Sequence, residues 1–200
     1  MHIPEDLEPL AIAFEAHARR CPDQRDVAEA FIALLGDAED PFLRERLAGH
    51  FTASAWLVAR DRRRVLLTHH RKLGIWVQLG GHADGDRDLA RVALREAEEE
   101  SGLSGLRVDP EIYDLDRHWI PERKDVPGHW HHDVRYVVHA GDSEAFVVSE
   151  ESHALAWRDI AAIAADAEAD ASLRRMARQW LGRLQEPSGA GNCRKLSFRT

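Results

Sequence analysis

Cysteine is nearly missing. Cys21 and Cys193 are the only two in 200 residues. So few thiols argue against a disulfide framework and for a reducing cytoplasm. Long apolar runs are missing as well. No stretch approaches the roughly 20 residues that a membrane-crossing helix requires. The opening segment, MHIPEDLEPLAIAFEAHARR, is acidic and lacks the charged-then-apolar order of an export signal. Positive charge is in deficit: 27 Lys and Arg stand against 35 Asp and Glu, a net charge of -8. That balance disfavours non-specific binding to nucleic acid or to an anionic membrane. It leaves an anionic small molecule open as a partner, because a bound cation reverses the local sign.

What is present is enough for a core. Apolar residues make up 44% of the chain, near the globular average, and the length fits one domain with an added helical piece. Residues 1–50 read as an N-terminal helical extension. Leu7, Leu10, Ala11 and Phe14 recur at helical spacing, as do Val27, Phe31, Leu34 and Leu35, and PFLRERLAGH reads as a third short helix. This extension is also a candidate surface for a homodimer. From residue 51 to 185 the texture changes to mixed strands and helices. TASAWLVAR, RVLLTHH and IWVQL read as strands, followed by a helix over 87–101 that Asp86 or Asp88 caps and Gly102 ends. Further strands are expected near 106–117, 132–140 and 144–148, then one or two amphipathic helices from Trp157. Residues 186–200 form a Gly/Ser-rich basic tail, read as flexible. The mixture predicts an α/β (α+β) fold, a mixed sheet with helices on its faces.

One helix carries an electrostatic conflict. Glu96, Glu99 and Glu100 fall in one narrow sector of it, and like charges at that spacing repel by a few tenths of a kcal/mol each. Leu89, Val92 and Ala93 continue the same stripe toward the N-terminus, so it is not an ordinary solvated face. A divalent cation such as Mg²⁺ removes the conflict, since it takes oxygen ligands from a few carboxylates, waters and substrate phosphates. Arg95 is placed to hold a carboxylate through a bidentate contact.

The stretch Gly80–Leu103, GGHADGDRDLARVALREAEEESGL, resembles the signature of the Nudix hydrolases: Gly, five residues, Glu, seven residues, Arg-Glu, an apolar residue, any residue, Glu-Glu, any residue, Gly, an apolar residue. Gly81, Arg95, Glu96, Ala97, Glu99, Glu100, Gly102 and Leu103 fill eight of the fixed positions. Arg87 stands where the pattern has its first Glu, with Asp84 and Asp86 close by. The resemblance implies a Nudix-type α/β/α sandwich and a hydrolase that cleaves the pyrophosphate of a nucleoside diphosphate linked to another moiety. A nucleoside triphosphate pyrophosphatase acting on damaged nucleotides and a non-catalytic nucleotide-binding module on the same fold are the alternatives. It implies Mg²⁺ or Mn²⁺ as cofactor, Glu96, Glu99, Glu100 and Gly81 as metal-site residues, and Arg95 as the residue that orients a glutamate. Glu96 alternates between ligand and base, or the base is a late-loop acid such as Glu150 or Glu151.

Twelve histidines are many for this length. In HWIPERKDVPGHWHHDVRYVVH, His129, His131, Asp133 and Arg135 alternate and so share a strand face. The preferred reading is a polar wall of the substrate pocket, with His82 completing it. A transition-metal site recruiting His69, His70 or His82 is a second reading, and structural hydrogen bonding a third.

Overall fold

The structure is a computed structural model, and it describes residues 2–70, 74–123, 126–147 and 152–185. Two helices lead: α1 (Glu8–Arg20) and α2 (Arg25–Leu35). Seven strands follow as one mixed sheet: β1 (His50–Val58), β2 (Arg64–His70), β3 (Trp76–Val77), β4 (Leu79–His82), β5 (Arg107–Ile120), β6 (His129–His139) and β7 (Ser152–Asp159). Helix α3 (Leu89–Ser101) lies between β4 and β5, and α4 (Ile160–Ala165) and α5 (Ala171–Gln185) close the chain. This is the expected mixed α/β sandwich.

β1 organises the molecule. All nine of its residues are buried, which requires cover on both faces. Phe51 and Ala53 pack with Leu89, Val92 and the residues of α1 and α2. Ala55 and Leu57 join Ala97 and Leu103. Trp56 and Val58 point to the other face, against Met176 and Trp180 of α5. This odd–even split is the period-two pattern of a strand buried on both sides. β6 runs parallel to β1, while β2 and β4 pair antiparallel with it at opposite ends.

Four expectations are corrected. Residues 41–49 form turns rather than a third helix. The strand expected over 75–79 is divided at Gln78: β3 pairs with β2, whereas β4 continues to His82 on β1. Residues 144–147 are no strand. They form a connector in which Glu144 accepts from the Arg60 amide at 2.9 Å and the Arg64 guanidinium at 2.8 Å. The segment before Trp157 is instead a strand, β7, paired along β2. Cys21, at the end of α1, is buried. Among the described residues no helix is long and apolar enough to cross a membrane.

Candidate active site

The site begins where β4 meets α3. Gly81 lies opposite Ala53 on β1. A Cβ on Gly81 would stand 2.6 Å from Glu96 Cδ, and one on Gly80 would stand 2.6 Å from the Ala53 carbonyl oxygen. Gly80 needs glycine for close approach to the β1 backbone, and a side chain at Gly81 would displace the Glu96 carboxylate from its seat. The turn itself uses Gly85 at φ 85°. Asp88 then caps α3, accepting from the Arg91 amide at 3.0 Å, and Gly102 ends it at φ 67°.

The acids of the turn are each held by an arginine. Arg44 donates to Asp84 through Nε at 2.6 Å and also through Nη2. Arg91 donates to Asp86 at 2.7 and 3.0 Å. These bonds hold both carboxyls below the usual range. Arg87 forms ion pairs with Asp6 and with Asp40, the latter at 3.7 Å, and lies 5.9 Å over the Phe42 ring. Arg87, at the departure from the motif, therefore tethers the turn to the N-terminal residues, while Asp84 and Asp86 are each engaged by an arginine.

On α3 the three glutamates diverge. Glu96 is largely enclosed, its side chain 16% exposed. Arg95 Nη2 donates to Glu96 Oε1 at 3.0 Å and to the His82 carbonyl at 3.3 Å, while Arg95 Nε lies 4.0 Å from Glu99. Burial raises the Glu96 pKa, with Arg95 opposing it. Glu99 points outward at 65% exposure. Glu100 accepts from the Gly80 amide at 3.3 Å. Like-charged carboxylates one turn apart repel; Glu96 and Glu99 flank Arg95, while Glu100 turns to the Gly80 amide. As a donor set they suit a hard divalent cation: oxygen ligands on one sector of a helix, with one of them half-desolvated beside a glycine cradle. Glu151, the alternative base, lies outside the described residues, as does Glu150.

The histidines occupy the opposite face of β4, because strand neighbours alternate. His82 follows Gly81 but points away from α3, toward β1 and β6. There His50, His82 and His131 bring their ligand atoms within 4.8 Å of one another. His129 joins them, its Nε2 3.2 Å from His131 Nε2. Among the described residues this is the one group of three or more potential metal ligands that converges so closely. His69 sits apart, on β2 with its ring 5.3 Å from Trp76. The expected pocket wall is thus divided. Asp133 and Arg135 are 2% and 3% exposed and do not line an open surface. Arg135 pairs with Asp133 at 2.8 Å, Asp114 at 3.1 Å and Asp116 at 3.2 Å. Asp133 also accepts from Thr52 at 3.0 Å, Ser54 at 2.7 Å and Gln78 at 3.2 Å. Alternation put the two on the right face, but α5 covers that end of it: Arg175 reaches Asp114 at 2.8 Å.

His50 was missed by sequence reasoning. It stands 81 positions from His131 and meets it only through the parallel pairing of β1 with β6. Its one local signal was its place at the head of an apolar run.

A family model described as NUDIX domain matches residues 49–180. No curated protein matches by sequence. Among solved structures, a hydrolase of the NUDIX family from Clostridium perfringens has 23% identity and a TM-score of 0.53, covering 68% of this chain and 98% of that one. A MutT protein from Methanosarcina mazei Go1 has 16% identity and a TM-score of 0.54, covering 70% and 99%. The E. coli dihydroneopterin triphosphate pyrophosphohydrolase has 19% identity and a TM-score of 0.52, covering 66% and 95%.

Proposed function

Since this chain belongs to the Nudix family, and is by that class a pyrophosphohydrolase, we propose that it uses Mg²⁺ or Mn²⁺ to cleave a nucleoside diphosphate linked to a second moiety. The observation that carries this reading is the seating of Glu96 against Gly81 with Arg95 on its carboxylate. The eight motif positions thereby become one built corner at a strand end. Glu96, Glu99 and Glu100 are the residues that would hold the cation. When bound, it would neutralise phosphoryl oxygens and acidify a water.

The chain's own groups supply the rest. Arg95 occupies Glu96 Oε1 and so leaves Oε2 as the oxygen without that bond. The raised pKa of Glu96 makes it a better proton acceptor than an exposed glutamate once ionised. The Gly80 amide positions Glu100.

A nucleotide panel with Mg²⁺, Mn²⁺ or EDTA tests this, comparing the parent with Glu99→Gln and Glu100→Gln. Cleavage is expected only with metal and falls at least about 100-fold in both variants, as charge stabilisation of several kcal/mol is lost. Two monophosphate products identify a diphosphate-linked substrate, whereas release of inorganic pyrophosphate identifies a triphosphate. Full activity in both variants would remove the helix from the chemistry.

A further inference from the structure

We propose that His50, His82 and His131, with His129 as a fourth donor, form a second metal site, for a borderline divalent transition ion of the zinc type, separate from the acidic face of α3.

The sheet topology assembles it. β1 and β6 begin at one end of the sheet, and β4 and β5 finish there. Register places His50 opposite His131, His82 opposite Thr52, and Ile120 opposite His129. The His50 ring centroid lies 5.1 Å from His82, 5.0 Å from His129 and 5.0 Å from His131, and His82 lies 5.1 Å from His131. Neutral imidazole is the ligand form.

Hydrogen-bond accounting then finds a lone pair with no donor to meet it. His50 Nδ1 lies 3.1 Å from the Arg46 carbonyl oxygen and must carry its hydrogen there. Its Nε2 is left as an acceptor, and that atom is buried without a partner in a residue only 1% exposed. An orphaned buried acceptor costs about 1–3 kcal/mol. His129 is anchored in the same way: Nδ1 donates to the Pro127 carbonyl at 2.9 Å, and its Nε2 meets His131 Nε2 at 3.2 Å inside the cluster. A ring fixed through one nitrogen by a backbone carbonyl, with the other nitrogen turned inward, is how metal-binding histidines are oriented.

The spacing fits as well. Zinc–nitrogen bonds of about 2.0–2.1 Å in a tetrahedron put ligand nitrogens roughly 3.3 Å apart. The His129–His131 pair stands at 3.2 Å, and the ligand atoms of His50, His82 and His131 lie within 4.8 Å of one another, a gap that small ring rotations close. Imidazole donors select zinc-like ions, whereas the carboxylates across β4 select Mg²⁺ or Mn²⁺. The strand therefore divides two cation chemistries between its faces, with Gly81 toward one and His82 toward the other.

The test uses the full chain, stripped with a chelator and dialysed. Calorimetric titration with Zn²⁺ is expected to show one ion per chain, not displaced by excess Mg²⁺. Co²⁺ in its place is expected to give the strong visible bands of tetrahedral coordination. His82→Gln and His131→Asn should each weaken Zn²⁺ binding at least about 100-fold, more than loss of an outer-shell partner does. Glu99→Gln should leave Zn²⁺ affinity unchanged even though it abolishes cleavage, which separates this site from the one on α3. Partly exposed His82 can be changed without opening the core, so His82→Gln decides alone if His131→Asn does not fold. Absence of Zn²⁺ binding by the parent, or unchanged affinity in the histidine variants, overturns the site.

Discussion

A half-buried carboxylate favours its protonated form, and Glu96 is placed to feel that preference. Its pKa in the folded chain is raised, chiefly by burial. The stabilisation from this residue therefore belongs to the protonated state: it is full below the unfolded value and is lost as pH rises through the folded one. The consequence is a cost at neutral pH, accepted for the sake of the site. Glu96→Gln, measured in EDTA, should melt higher than the parent at pH 7, by on the order of a few degrees. The difference should vanish in acid, while cleavage is lost at every pH. A parent that matches or exceeds the variant at pH 7 would show that Arg95 outweighs desolvation. At this scale the site was legible where its parts are neighbours in sequence. Gly81, Arg95, Glu96, Glu99 and Glu100 lie within one loop and helix, so fixed spacing becomes fixed geometry. His50 was not legible, because its meeting with His131 depends on which strands lie side by side.

The turn between β4 and α3 shows what the one departure from the motif does. Arg87 is about half exposed and its partners Asp6 and Asp40 are comparably open. Such pairs contribute at most about 1 kcal/mol. Arg87→Gln should thus lower unfolding free energy by no more than about 1 kcal/mol and leave kcat within about threefold, well under 1 kcal/mol in barrier. A loss of activity above tenfold, read in the same nucleotide assay, would mean that this position touches the chemistry rather than the N-terminal residues. Elements were legible in proportion to their local punctuation. α3 has a capping Asp88 and a terminating Gly102, both visible in sequence, and it was placed within two residues. The change of partner at Gln78, which splits one apolar run into β3 and β4, has no local marker. β7 was missed because SHALAWRD mixes alanines with only Leu155 and Trp157 to mark alternation, and its pairing with β2 is what makes it a strand.

For the molecule as a whole, the question is whether the helices before residue 49 are an appendage. The family match begins at residue 49, and composition shifts near the same place. The packing does not respect that boundary. Leu7, Phe14 and Phe31 share one core with Phe42, Phe51, Leu89, Val92 and Val134. The Phe31 ring lies 5.4 Å from Phe14, 5.8 Å from Phe51 and 5.1 Å from His132. Without α1 and α2, the face of β1 and β6 that also carries α3 would be bare, and α3 would lose the support that holds Glu96 against Gly81. Phe31→Ala should therefore cost about 3–5 kcal/mol, as for any large buried aromatic. All six tryptophans lie beyond residue 49, so tryptophan fluorescence reports only on the family-matched part. If the core is continuous, the urea midpoint read by that fluorescence shifts with Phe31→Ala in a single transition of unchanged slope. An independent helical piece would unfold unseen and leave the midpoint where it was. The same cooperativity explains why the N-terminal residues are expected to govern whether the acidic corner exists at all.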